Sequence, residues 1–234
     1  FDLLSTLNPH LYVPLVKYEN TQKIILTAQF NDKSNYRITA KGRVNTKNSR
    51  DWNSVGHADI SNFKFNNVPL KRLISDYDLN SMRLIANDSH MVFDYSNYNP
   101  TKSNSNKTAK GNLKIDRIVV DNVARTVTID NAYGKAYPAP VTRMFHKESA
   151  DHLEQYKFSE PPEIRARGIF DTIVRPLNDR KINFQCNLAC PTMMYRFLGG
   201  NPMLKNFKAN VHLTKNSVMV NKITASTFKG AIKG

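Results

Sequence analysis

One pattern occurs twice in this chain, and a chain that repeats itself is restricted to folds in which like units bury their apolar faces by stacking on one another. Tyr36-Arg-Ile-Thr-Ala-Lys-Gly-Arg-Val44 stands over Pro162-Glu-Ile-Arg-Ala-Arg-Gly-Ile-Phe170, so that Ile38, Ala40, Lys41 and Gly42 match Ile164, Ala166, Arg167 and Gly168. Phe63-Lys-Phe65 then stands over Tyr195-Arg-Phe197, and Pro69-Leu70 over Pro202-Met203. Tyr77 and Leu79 fall on Val211 and Leu213, and Lys110-Gly-Asn-Leu-Lys114 on Lys229-Gly-Ala-Ile-Lys233. The offset drifts between matches, as loops of unequal length require. The order of the matches, rather than any single one, makes the repeat.

Within the matched stretches every second residue is apolar, the period of a strand with one dry face. Tyr36, Ile38, Ala40, Gly42 and Val44 face one way, and Arg37, Thr39, Lys41 and Arg43 the other. Leu70, Leu73, Ile74 and Tyr77 carry helical spacing, but their counterparts Phe207, Ala209, Val211 and Leu213 alternate without a break, so both stretches read as strands. Hairpins are expected from Ile24–Phe30 to Tyr36–Val44, from Leu113–Val120 to Val127–Ile129, and across Thr214–Ser217, with a turn at Asn80-Ser81. Between Ile60 and Phe63 the apolar parity changes, which predicts a bulge near Ser61-Asn62. Asn45–Asn53 reads as a loop, and 96–107, rich in Asn, Ser and Lys, as a polar insertion absent from the second copy. Pro9 and Pro14 break any long helix near the start, and Pro140–Tyr156 reads as one amphipathic helix striped by Val141, Met144, Phe145, His152, Leu153 and Tyr156. The division expected is 1–35 as the tail of a preceding unit, 36–139 as the first β-unit, 140–160 as the helix and 161–234 as the second β-unit.

The 234 residues suffice for a real core, and 40% hydrophobic with 23% charged residues describes a folded chain. No run approaches the ~18 apolar residues of a membrane-spanning helix, and the first residues lack the charged-then-apolar order of a signal peptide. We read the chain as a window from a longer protein, with any anchor outside it. A net charge of +15 has two readings: a solvated strand face, given basic residues alternating with apolar ones, or attraction to an anionic surface. Cys186 and Cys190 share a strand face ~13 Å apart, at ~3.3 Å per residue, which is too far for a disulfide. They read as buried free thiols and do not identify the redox compartment.

The chemistry of an active site is hard to find. The six histidines are scattered, and His146, His152 and Glu154 fit no common zinc spacing. The sequence contains no nucleophile elbow, phosphate loop or dinucleotide fingerprint. Asp76 and Asp78 read as neighbours on a polar strand face, and the Asn87 and Asn106 glycosylation patterns are common by chance in an Asn-rich chain. No enzymatic activity, metal or cofactor is expected. What remains is the dry face: in the first copy Ile38, Ala40, Phe63, Phe65, Leu84, Val120, Val127 and Ile129, and in the second Ile164, Ala166, Phe184, Leu188, Val211, Leu213, Val218 and Val220. Such a face needs a second sheet, a helix or a ligand over it, and one helix is too small for two units.

The order of motifs resembles the AsmA-like proteins of the bacterial cell envelope, the group that includes TamB. The features are an amphipathic helix, Tyr156-Lys-Phe158, Pro161-Pro162, the strand Glu163-Ile-Arg-Ala-Arg-Gly168, Gly199-Gly-Asn-Pro-Met203, and the closing Ser226-Thr-Phe-Lys-Gly-Ala-Ile-Lys-Gly234. The resemblance covers nearly the whole chain through short, degenerate motifs. It implies a mainly β fold, an extended, curled antiparallel sheet forming a taco-like groove, on the periplasmic side of an inner membrane to which an outside segment anchors it. It also implies that the apolar residues named above line the groove and shelter acyl chains of phospholipid or another lipid, in lipid transport or outer-membrane assembly. Lys41, Arg165 and Arg167 would lie outside, and no specific nucleic-acid partner is expected. The long Asn/Ser insertion and the basic charge depart from the family pattern. The competing readings are a basic β-module for an acidic polymer and a structural spacer with its apolar face closed.

Overall fold

The computed structural model describes residues 15–18, 21–24, 35–44, 52–95, 110–145, 147–195, 202–227 and 230–233, with side chains from Trp52 onward, Lys233 excepted. The expected strand over 25–30, the loop over 45–51, the 96–107 insertion and the Gly199–Asn201 stretch lie outside the described residues; Trp52 and Asn53, expected at the end of that loop, instead begin a strand, paired with Val44 and Arg43.

The early strands β1 (Leu15–Tyr18) and β2 (Thr21–Ile24) form a separate antiparallel pair. The main body is a 12-stranded sheet. Its first part is β3 (Asn35–Val44), β4 (Trp52–Phe65), β5 (Val68–Asn80), β6 (Arg83–Asp94), β7 (Lys110–Asp121) and β8 (Thr126–Lys135). Then come two short helices, α1 (Pro138–Arg143) and α2 (Lys147–Leu153), and β9 (Tyr156–Phe158). The second part is β10 (Glu163–Asp171), β11 (Asn183–Tyr195), β12 (Met203–Thr214), β13 (Val218–Thr227) and β14 (Gly230–Lys233). Every pairing is antiparallel, in the order β14-β13-β12-β11-β10-β8-β7-β6-β5-β4-β3, with β9 beside β11. The sheet is open, with β3 and β14 as its terminal strands.

The matched segments of the two copies fall on successive strands of this sheet: β3 and β10, β4 and β11, β5 and β12, β7 and β14. The turns follow from side-chain chemistry. Asn80 Oδ1 accepts from the Met82 and Arg83 amides at 3.0 and 2.8 Å, and Asp121 Oδ1 from the Ala124 amide at 2.6 Å, as Asx turns do.

A feature absent from simple alternation keeps the apolar residues on one side. In β6 the inward set changes from Leu84 and Ala86 to Ser89, Met91 and Phe93, across Asp88 at φ 48°. In β8 it changes from Val127 and Ile129 to Ala132, across Asn131 at φ 49°. Asn62 (φ 55°) in β4, Asn206 (φ 52°) in β12 and Lys222 (φ 51°) in β13 stand at like breaks. A single left-handed residue spends one position on turning the strand, after which the alternation resumes out of phase. Most of these residues are Asn or Asp, which tolerate that conformation best. The bulge expected near Ser61-Asn62 is not found, since the β4–β5 register runs unbroken there; the change of parity comes instead from the left-handed Asn62. The register shift lies one strand on, between Leu70 and Arg72 of β5 against β6.

The stretch expected to be one helix is two, separated by the turn at Met144-Phe145. Pro138 starts α1, where its missing N–H costs nothing. Arg143 ties α2 to α1 through Asp151 and Glu154. The turn is held where it lies: Asn66 Nδ2 donates to the Met144 carbonyl at 2.8 Å, and Phe145 meets Phe170 edge-on at 5.8 Å. The helix pair therefore bridges the apolar face, from the β4–β5 turn to β10.

Candidate functional site

Residues directly opposite one another in an antiparallel pair share a face, so the register traces apolar rows across the sheet. One row runs Tyr77–Ala86–Ile118–Ile129–Gly168–Phe184–Leu213–Val218. A second runs Leu79–Leu84–Val120–Val127–Phe170. A third runs Ile115–Ala132–Ala166–Cys186–Val211–Val220. A fourth runs Ile60–Leu73–Met91–Leu113–Gly134–Ile164–Leu188–Ala209. Phe63 lies opposite Leu70 and Phe65 opposite Val68, towards one end of the strands. Ile38 and Ala40 stand opposite Ala58 and Gly56, register positions that extend the same rows.

The rows are not uniformly covered. Val120, Val127, Ile129, Ile164 and Ala166 are buried, Val127 completely at 0% exposure, within a cluster that includes Tyr137 and Met144 of the helical cover. Phe63, Phe65, Leu84, Phe184 and Leu188 are half-buried against that cluster. Val211 and Leu213 are half-buried, and Val218 and Val220 are exposed, at 66% and 46%. The helix pair thus roofs the middle of the face, and β12–β13 extend beyond it. A glycine permits close approach in the fourth row. A Cβ on Gly134 (φ 146°) would lie 2.3 Å from the Asn112 carbonyl oxygen, so glycine is required there.

The polar side chains on the inward face are satisfied locally. Ser75 and Ser89 hydroxyls lie 2.9 Å apart, joining β5 and β6. Cys186 and Cys190 are free, and burial pushes their thiols up to about 12 and about 11, so both remain protonated and unreactive near neutrality. On the outward face His57 Nδ1 lies 2.6 Å from Asp76 Oδ1, and Arg72 makes a two-pronged contact with Asp59. These are surface pairs between neighbouring strands. Among the described residues no group of His, Cys, Asp and Glu is placed to hold a metal ion, and no helix is long and apolar enough to cross a membrane.

The outward face also holds a recess of about 600 Å³. Its walls are the rows Tyr133–Arg165–Asn187–Asn210 and Lys135–Glu163–Ala189–Lys208, and its floor is the strand backbone between them. Lys222 closes one end. Scattered basic residues hid this feature in the sequence. The sequence signals only one side of it: every charged side chain from Arg180 to Gly234 is Lys or Arg, among them Lys208 and Lys222, while the other side carries Glu163 3.9 Å from Lys135. Compared with known proteins, this chain matches no family model, no curated protein and no solved structure.

Proposed function

We propose that the chain is a non-enzymatic segment of an envelope protein that shelters lipid acyl chains against the apolar face of its sheet. The observation that carries the reading is the row from Tyr77 to Val218, which crosses eight strands, is buried at Ile118 and Ile129, half-buried at Phe184 and Leu213, and exposed at Val218 of β13. A row perpendicular to the strands offers an extended hydrocarbon one apolar contact every ~4.8 Å. Each methylene removed from water is worth ~0.8 kcal/mol, so a sheltered half-chain gains several kcal/mol without any polar contact. The resemblance to AsmA-like proteins supports the same reading, with the segment on the periplasmic side of a bacterial envelope. The test is native mass spectrometry or lipid extraction of protein purified in mild detergent. Stoichiometric phospholipid is expected, and Phe184→Asp or Val211→Asp removes it while the circular dichroism spectrum stays β. Lipid content unchanged in both variants refutes the proposal.

A second reading rests on a different observation, the basic outward recess and the acid-free stretch after Asp179. It makes that face a site for an acidic polymer. Binding to heparin that falls steeply with salt, and is lost in Lys208→Glu, supports it; no binding at low salt refutes it.

A further inference from the structure

The connections at one edge of the sheet form a continuous rim. Arg83 lies opposite Asp121, Asp121 opposite Thr126, and Thr126 opposite Asp171, so the β5–β6, β7–β8 and β10–β11 connections emerge side by side. Thr214 lies opposite Asn183, which puts the β12–β13 turn beside them. Neighbouring tips are bonded together: the Asn122 amide donates to the Met82 carbonyl at 2.8 Å, and the Thr172 amide to the Arg125 carbonyl at 2.9 Å. The longest connection is pinned from within. Buried Asp171 accepts from Arg175 Nε and from the Lys181 amide, each at 2.8 Å, while the Arg175 guanidinium also donates to the Ala124 carbonyl.

This rim presents apolar side chains to solvent where turn chemistry favours polar ones. Met82 is 58% exposed, Val123 72%, Val174 67% and Leu177 50%. Single exposed apolar residues are ordinary, but a file of them on successive, mutually bonded tips is a patch. The described turn at the opposite edge, Asn66-Asn67, is polar by contrast. Exposed Arg83, Arg125, Lys181 and Lys215 lie between the apolar tips. Of the nearby carboxylates, Asp121 accepts from the Ala124 amide, Asp171 pairs with Arg175, and Asp78 and Asp179 are exposed.

We propose that this rim docks on the surface of an anionic lipid bilayer. The apolar tips enter the boundary between headgroups and acyl chains, and the basic side chains lie among anionic headgroups with their stems along the apolar layer. A soluble polyanion would use the charges and leave the apolar tips unexplained. A bilayer uses both. The docking stands apart from whatever the inward face holds, and it involves this chain itself rather than an outside anchor.

The experiment is vesicle flotation of the chain with phosphatidylcholine alone and with phosphatidylcholine and phosphatidylglycerol at a 7:3 ratio. It is read in parallel by the emission of Trp52, the only tryptophan, which begins β4 on the same edge. The chain is expected to float with the anionic vesicles and not the neutral ones, with a blue-shifted emission and weaker binding in high salt. Combining Met82→Ser, Val123→Ser and Val174→Ser lowers partitioning by roughly tenfold or more, as does Lys181→Glu with Lys215→Glu. Both variants keep the wild-type circular dichroism spectrum and melting temperature. Failure to float at low salt overturns the proposal, as does unchanged flotation of folded variants. Loss of flotation in Lys208→Glu with both rim variants unaffected moves the contact to the outward recess and overturns it too. A wild-type dimer that the triple serine variant converts to monomer, with no vesicle binding in either, makes the rim a protein contact and also overturns it.

Discussion

Asn131 offers the sharpest test of how the sheet keeps its apolar face. It sits in β8 at φ 49°, its side chain exposed, with Nδ2 donating to Asp116 Oδ2 of β7 at 2.6 Å. Asn131→Ala loses the tolerance of Asn for left-handed backbone, about 1 kcal/mol, and the hydrogen bond, also about 1 kcal/mol. The sum, about 2 kcal/mol, lowers the melting temperature by roughly 4–8 °C in a chain of this size. Asn131→Val costs more, because a β-branched side chain fits that backbone least well. Asn131→Gly loses the same hydrogen bond but relaxes the backbone, and stays within about 0.5–1 kcal/mol of wild type. The expected order in urea or thermal melts is therefore wild type close to Gly, then Ala, then Val. A Val variant as stable as the Gly variant would mean that β8 runs straight through Asn131. The account of how Val127 and Ile129 share a face with Ala132 would then be wrong.

Four further outcomes can be checked. Gly134→Ala drives a Cβ to 2.3 Å from backbone at φ 146°, so it destabilises by about 3 kcal/mol or more and reduces soluble yield, measured by expression and melting. Asp171→Ala leaves Arg175 without its carboxylate next to a buried site, costs about 3 kcal/mol, and speeds amide exchange across 172–182. Cys186 and Cys190 resist alkylation at pH 8 in the native state and react at once in denaturant. Since their folded values are raised from 9.0 to about 12 and about 11, the folded state binds more protons than the unfolded one in between. Stability therefore declines as pH rises from about 9 towards 12, and a melting temperature flat over that range refutes this. Phe145→Ala removes the aromatic contact with Phe170 and loosens the helical roof, seen as faster exchange in 138–153 with the sheet unchanged.

Most of the architecture was legible because strand alternation is a short-range signal that survives in each copy. Phe207 to Leu213 alternates cleanly, and that settled the reading of Leu70–Tyr77 against its own helical spacing. The phase changes were legible once, at Ser61-Asn62, where Ile60 and Phe63 flank the break. Elsewhere they were missed, because a period-two reading treats Asp116-Arg117 or Asp130-Asn131 as a lapse in pattern rather than as a device that restarts it. The helix was over-extended for a related reason. Val141, Met144 and Phe145 make a convincing stripe, yet Lys147, Glu148 and Ser149 contribute nothing apolar, and a tertiary hydrogen bond from Asn66 fixes the turn between α1 and α2. Of the candidate lining residues, those on β7, β8 and β10 are buried, and Val218 and Val220 are exposed. Sequence carries the face of a residue but not whether another part of the chain will lie over it. The outward recess and the rim escaped for the same reason, since both depend on which strand ends and rows become neighbours.

The open sheet makes length an independent variable. A step from β3 to its counterpart β10 crosses six strand spacings, roughly 29 Å at ~4.8 Å each. Because the second copy joins the first by strand pairing, β10 against β8, a further copy can add another such step by the same kind of pairing at a terminal strand. The length of such a sheet can thus be set by counting modules, with no new fold to invent.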